Sequence, residues 1–268
     1  MASFKPYRVH GKFKLSKIDP GDTPFAKGSE SQQRQQLDDL AVELDKLQNK
    51  LYAEGSRKVL LVLQGMDTSG KDGTIRWVFS RTSPLGVRVY AFKAPNEIEL
   101  AHDYLWRCHA VVPRTGQLMV WNRSHYEDVL VPVVEGWIDK ATTQQRYAQI
   151  NDFERLLVET GTVVVKCMLH ISKDEQRQRL QDRIDHPDKR WKFSRGDLDV
   201  RAKWSRYQSA YQQLLAATSS EHAPWHVIPA DSKTHRNLMI AQLLVKTLQG
   251  MKLHTPPADA SLDGLVVT

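Results

Sequence analysis

Three groups of residues in this chain have the types and spacing that chemistry needs. The first is Gly65-Met66-Asp67-Thr68-Ser69-Gly70-Lys71-Asp72-Gly73, which fits the G-x-x-x-x-G-K spacing of a phosphate-binding loop. In such a turn the N–H groups around Gly70, with the positive end of the following helix, cradle an anion while Lys71 reaches its oxygens. The Ser or Thr that normally follows the lysine to hold magnesium is replaced by Asp72, and a second acid, Asp67, sits inside the loop. A carboxylate beside phosphate is repulsive unless a divalent cation lies between them, so the two acids imply metal bridging.

The second group is Asn122-Arg123-Ser124-His125-Tyr126-Glu127-Asp128, at the carboxyl end of an apolar run. Moving a phosphoryl group leaves the protein little covalent work; it must align donor and acceptor and neutralise charge. Lys71 and Arg123 are the first choices for that neutralisation, the guanidinium by clamping phosphate oxygens bidentately. Asn122 stands where an aspartate is expected. Its amide oxygen can ligate a metal or its water but brings no charge, which leaves Asp67, Asp72, Glu127 and Asp128 to supply it.

The third group is a concentration of cations, Arg177, Arg179, Arg183, Lys189, Arg190, Lys192 and Arg195, around a Trp191-Lys192-Phe193 turn. Arg179 and Arg183 share a helix face. Together these residues read as a phosphate-binding lid with more charge than a mononucleotide needs, suited to a longer polyanion whose binding weakens with salt. Lys93, His102 and Arg107 follow a second strand, where an acceptor nucleotide can enter. His125 and His170 lack partners at metal-ligand spacing and read as structural. Trp191 either stacks on a base or packs, and Trp204 reads as packing.

These groups need elements to hold them. Lys58 to Gln64 is a continuous aliphatic run, the pattern of a strand buried on both faces, and the phosphate loop leaves its carboxyl end. Further strands are expected at 87–92, 117–121, 162–170 and 225–230. Helices are expected at 29–54 (stripe Leu37, Leu40, Leu44, Leu47, Leu51), 74–81, 97–110, 141–160, 172–185, 199–215 and 237–248. Strands alternating with helices predict an α/β fold, a five-stranded parallel sheet covered on both faces, with ligands outside the strands' carboxyl ends. Residues 1–28 read as an extended arm, 29–252 as one domain with the lid at about 172–200, and 253–268 as a loose tail.

A chain of 268 residues with 41% hydrophobic content can bury a full core, and a formal charge of +7 favours an anionic partner. Two well-separated cysteines, Cys108 and Cys167, indicate neither a disulfide framework nor a zinc site. No run approaches the roughly 20 apolar residues of a membrane span, so the expected setting is cytoplasmic, with no membrane partner.

Taken together, the phosphate loop, the Asn122-to-Asp128 segment and Pro187-Asp188-Lys189-Arg190-Trp191-Lys192 resemble polyphosphate kinase family 2, over about Tyr7 to Gly250. Asn122 and the Ser-His-Tyr-Glu-Asp continuation resemble its class III branch, whose members use inorganic polyphosphate to phosphorylate nucleoside monophosphates as well as diphosphates. The resemblance implies a P-loop, thymidylate-kinase-like fold, dependence on magnesium with manganese as a substitute, a basic channel for the polyphosphate, and a homo-oligomer, tetramer or dimer. It also implies that Asp67 is a metal-organising catalytic acid, that Lys71 and Arg123 hold phosphates, and that Arg183 contacts the chain. Glu127 or Asp128 is left to complete the metal site. Nucleic acid is not an expected partner. The alternatives are an ATP-dependent nucleoside monophosphate kinase, which shares the fold, and a nucleotide- or RNA-binding protein with a vestigial loop.

Overall fold

A computed structural model describes residues 2–267 of the chain. The aliphatic runs form five strands, β1 (Lys58–Gln64), β2 (Val87–Ala91), β3 (Leu118–Asn122), β4 (Thr162–His170) and β5 (Trp225–Pro229). All neighbours run parallel, in the order β2-β3-β1-β4-β5. β1 is therefore central, and Val59 to Gln64 are buried, which is why its sequence is apolar without alternation. Its neighbours β3 and β4 lie on opposite sides, so the connections diverge at the carboxyl edge of β1, where a crevice opens.

Among the described residues ten α-helices connect and cover the strands: α1 (Glu30–Glu54), α2 (Lys71–Val78), α3 (Glu97–Leu100), α4 (Trp106–His109), α5 (Glu127–Glu135), α6 (Lys140–Glu159), α7 (Lys173–Asp185), α8 (Gly196–Ala202), α9 (Trp204–Thr218) and α10 (Lys233–Gly250). Six of them pack in two groups, α1 with α2 and α10, and α5 with α6 and α9. Ser29 and Gln32 form a capping box that starts α1, and its stripe Leu37, Leu44, Leu47 and Leu51 is buried within the same chain. Ahead of α1, Tyr7, Val9, Leu15 and Phe25 are buried, and Val9 N–H donates to the Trp225 carbonyl at 2.9 Å.

Three features of the helices depart from the sequence reading. Residues 97–110 form not one helix but α3 and α4, because Asp103 accepts from the Leu105 N–H at 2.9 Å and turns the chain between them. Leu100 of α3 is exposed. The helix expected at 199–215 is likewise two, α8 and α9, broken at Lys203, whose ammonium pairs with Glu135. The third is α5, which the sequence hides because Pro132 lies inside it. Proline lacks the N–H that would reach the Asp128 carbonyl one turn back. Arg146 of α6 supplies the missing donor to that carbonyl through Nη1.

Candidate active site

The loop between β1 and α2 is built for close backbone approach. A Cβ on Gly65 would lie 2.6 Å from the Leu169 carbonyl, and Gly70, with Arg236 Nη1 packed against it, has φ +100°, so both positions favour glycine. Thr68 adopts φ +66°, a left-handed conformation costly for a β-branched residue. Lys71, the first residue of α2, folds back along the loop, its ammonium donating to the Gly65 carbonyl at 2.8 Å and the Met66 carbonyl at 3.4 Å. The side chain is 8% exposed. Burial and the charge of Arg123 lower its pKa, with Asp67, Glu127 and Asp72 opposing.

Sheet register brings the second group to the first. Leu63 of β1 stands opposite Asn122 of β3, and Arg123 N–H donates to the Leu63 carbonyl at 3.0 Å. Arg123 too has a left-handed backbone, φ +63°, strain that aims its side chain back over the loop, where Nη2 meets Asp67 Oδ1 at 2.9 Å. Asn122 Nδ2 donates to Asp72 Oδ1 at 2.6 Å. The Gln64 amide sits between the Ser124 hydroxyl at 3.0 Å and the Glu127 carboxylate at 2.9 Å. Burial pushes the Glu127 carboxyl above the ordinary carboxylate range, against the pull of Arg123 and Lys71. Asp128, one residue on, faces elsewhere. Its Oδ2 accepts from Arg107 Nη2 at 2.8 Å, and Arg107 Nη1 donates to the Lys93 carbonyl at 2.9 Å.

Arg123 stands where three cavities meet. One, of about 710 Å³, runs between the phosphate loop and the lid and includes Asp67, Gly70, Lys71, Asp72 and Asn122. A second, of about 660 Å³, is lined by Phe92, Lys93, Arg107, Asp128 and Trp137. The third and smallest, about 340 Å³, lies beside Asp67 and Glu127 against Tyr207 and Tyr211. Set against the sequence expectations, the first, strongly charged, is the candidate donor cavity, and the second, mixing aromatic, aliphatic and charged walls, is the candidate acceptor pocket.

The lid cations are less free than their number in the sequence implies. Arg183, Lys189 and Lys192 line the donor cavity. Arg183 also pairs with Asp197 at 3.3 Å and donates to the Lys192 carbonyl at 2.9 Å. Lys189 pairs with Asp182 at 2.9 Å, and the Lys192 ammonium lies over the Trp191 ring. Arg190 is absent from the cavity wall and donates to the Ile184 carbonyl. Arg179 reaches the same cavity wall but is buried, its Nη1 spent on the Thr68 and Ser69 carbonyls. Trp191 is exposed at the cavity and Trp204 packs against the core; His125 and His170 are buried. Sequence reasoning missed Arg76 and Lys233 in the donor cavity and Tyr104, Trp137 and Arg146 in the acceptor pocket. Lys233 follows the carboxyl end of the fifth strand, the edge where ligands bind, and that rule could have found it. The others carry no local signal.

For a divalent metal the donor set is spare. Among the described residues no three His, Cys, Asp or Glu converge as ligands. Magnesium is commonly held by one or two carboxylates, with waters and substrate phosphates completing its octahedron. Asp67 and Asp72 fit that pattern: both line the donor cavity, each engaged through Oδ1 alone, with the neutral Asn122 oxygen beside them. Glu127 adjoins Asp67 in the smallest cavity, whereas Asp128, bound to Arg107 on the acceptor side, is not brought to the loop.

Comparison with known proteins agrees with this geometry. The family described as Polyphosphate kinase 2 matches residues 27–256. An AMP/ADP-polyphosphate phosphotransferase of Meiothermus ruber is 51% identical over 265 residues, covering 98% of this chain and 99% of the relative. An ADP-polyphosphate phosphotransferase of Rhodopseudomonas palustris is 43% identical over 225 residues, covering 80% and 78%. The crystal structure of polyphosphate kinase 2 from Arthrobacter aurescens superposes with a TM-score of 0.93 at 45% identity, covering 97% of this chain and 94% of that one. On the whole length of its domain, in sequence and in fold, the chain belongs to the polyphosphate kinase 2 family.

Proposed function

We propose that this protein transfers the terminal phosphoryl group of inorganic polyphosphate to ADP and AMP, giving ATP and ADP, with guanine nucleotides as further acceptors. The observation that carries the reading is the position of Arg123 on the wall of both large cavities, so that phosphates entering from the two sides meet at one guanidinium. Relatives named for AMP/ADP- and ADP-polyphosphate phosphotransfer support the choice of donor and acceptors.

In the proposed reaction an oxygen of the acceptor's terminal phosphate attacks the terminal phosphorus of the chain. The new P–O bond forms as the old anhydride bond breaks, and the shortened chain leaves with the bonding electrons on its oxygen. A phosphate oxygen is already nucleophilic, so no side chain need remove a proton. Lys71 and the Gly70 N–H hold the donor phosphate, Arg123 bridges donor and acceptor, and the lid residues Arg183, Lys189 and Lys192 line the path of the remaining chain. Lys93, Arg107 and Arg146 stand where the nucleotide phosphates enter, beside an aromatic wall for the nucleoside. Asp67, Asp72 and Asn122 would hold a magnesium ion, which would supply positive charge to offset that of the phosphates, with manganese as a substitute.

We further assign the protein to the cytoplasm as a homo-oligomer, dimer or tetramer. Among the described residues no helix is long and apolar enough to cross a membrane, and both cysteines are free and buried. The test is a donor swap. Purified protein is incubated with AMP, ADP, GMP or GDP and either polyphosphate or ATP, and the nucleotides are resolved by anion-exchange chromatography. Higher phosphates formed from polyphosphate support the proposal; AMP conversion with ATP alone makes the protein an ordinary nucleoside monophosphate kinase.

A further inference from the structure

Two buried arginines hold the backbone of the phosphate loop: Arg179, which also reaches the wall of the donor cavity, and Arg236, which does not. Arg179 of α7 donates through Nη1 to the carbonyls of Thr68 at 2.9 Å and Ser69 at 3.1 Å, and through Nη2 to those of Ala230 at 2.7 Å and Asp231 at 2.8 Å. Its charge is matched by Glu175, 2.7 Å from Nε. Arg236 of α10 donates through Nη1 to the same Ser69 carbonyl at 3.2 Å, and through Nε and Nη2 to Asn237 Oδ1 at 3.1 and 2.9 Å. It is only 2% exposed, and among the described residues the charged group that acts on it is another cation, Arg179. Together with burial, that neighbour pushes its pKa down to about 9.

A guanidinium buried without a carboxylate is expensive, because desolvation is not offset by attraction. Its location says what could offset it. Nη1 packs against Gly70, and Nη2 is 3.3 Å from where a Cβ on Gly73 would stand. Arg236 therefore rests on the first turn of α2, whose N-terminus already carries positive potential and beside which Lys71 adds a third cation. The loop's conformation depends on the same contact. In a trans peptide the carbonyl and the following N–H point in opposite directions. Arg236, which is absent from the wall of the cavity that Gly70 lines, draws the Ser69 carbonyl towards itself and so turns the Gly70 N–H the other way.

We propose that Arg236 is a positioning residue for the donor phosphate: it sets the Ser69–Gly70 peptide with its N–H towards the channel, and the bound phosphate chain is its counter-ion. This rests on the polyphosphate reading above for the identity of the chain. Arg179, neutralised by Glu175, keeps the same peptide in place but lacks the unmatched charge.

The experiment compares Arg236→Met and Arg236→Lys with the natural protein in three measurements: calorimetric binding of tripolyphosphate, steady-state KM for polyphosphate and for AMP, and Tm without ligand. Loss of a charge-assisted contact predicts that Arg236→Met weakens tripolyphosphate binding and raises the polyphosphate KM by about tenfold or more, with the AMP KM changed less than about twofold. Arg236→Lys recovers part of the loss. The Tm of free Arg236→Met stays level or rises, because an unmatched buried charge has gone. An unchanged tripolyphosphate affinity overturns the proposal, as does a fallen Tm with both KM values raised together, the mark of a structural brace. Failure of Arg236→Met to fold while Arg236→Lys folds also overturns it, since the charge would then be satisfied in the free protein. If the natural protein binds tripolyphosphate yet transfers nothing from polyphosphate, the functional reading fails and this one stands.

Discussion

Lys71 and Arg123 divide the work of holding charge, and their surroundings predict different consequences of losing them. Lys71 is buried against loop carbonyls with its pKa lowered, so its ammonium adds little to the stability of the free protein. Lys71→Met should cut kcat by about a thousandfold or more with Tm unchanged within about 2 °C, read by steady-state assay and thermal melt. Arg123 is planar and strained into place, and a lysine there keeps the charge but cannot bridge two phosphates, so Arg123→Lys should still lower kcat by about a hundredfold. Glu127 gives a pH test. Its folded pKa is raised above the ordinary 4.5 by burial, so its contribution to stability is fullest below that value and is lost as pH rises through the folded pKa. Glu127→Gln removes the loss: its Tm should exceed that of the natural protein by about 2–4 °C at pH 8 and converge with it near about pH 4. Asp67, Lys71 and Arg123 were legible in the sequence because a motif fixes their spacing along the chain. Arg236 was not, because its partner, the Ser69 carbonyl, is 167 residues away and a backbone atom leaves no mark in a sequence.

The strands were legible because burial on both faces writes an unbroken aliphatic run, as in Val59 to Leu63. Helices over the site were harder. α5 carries Pro132, and only Arg146, reaching from α6 to the orphaned Asp128 carbonyl, makes that tolerable. The same arginine lines the acceptor pocket, so Arg146→Ala should act on both levels: Tm lower by about 2–4 °C and the AMP KM raised, measured side by side. The break between α3 and α4 comes from a side chain, Asp103, accepting a backbone N–H, which competes with helix locally and is easily overlooked. For the lid, the sequence supplied the cations but not their partners. Asp182 and Asp197 hold Lys189 and Arg183, so the lid offers the channel cations already oriented by acids. Arg183→Ala should raise the polyphosphate KM more than the AMP KM; equal rises would remove Arg183 from the channel.

At the scale of the molecule, a formal charge of +7 and a charged channel at the carboxyl edge of a parallel sheet make donor binding an electrostatic event. Raising ionic strength from about 0.05 to about 0.5 M shrinks the screening length severalfold and should raise the polyphosphate KM while the AMP KM moves less. One cavity opens at the switch point between β1 and β3 and the other beyond the ends of β2 and β3, so the fold sets them side by side with Arg123 on both walls. The most direct test of that account is a mass balance on phosphorus. AMP and polyphosphate of defined length are incubated with the protein and no ATP, and ³¹P NMR follows chain, nucleotide and orthophosphate together. The account predicts one chain anhydride lost for each nucleotide anhydride formed, with no orthophosphate released. Orthophosphate appearing while AMP stays unchanged, or a chain that does not shorten, would contradict it.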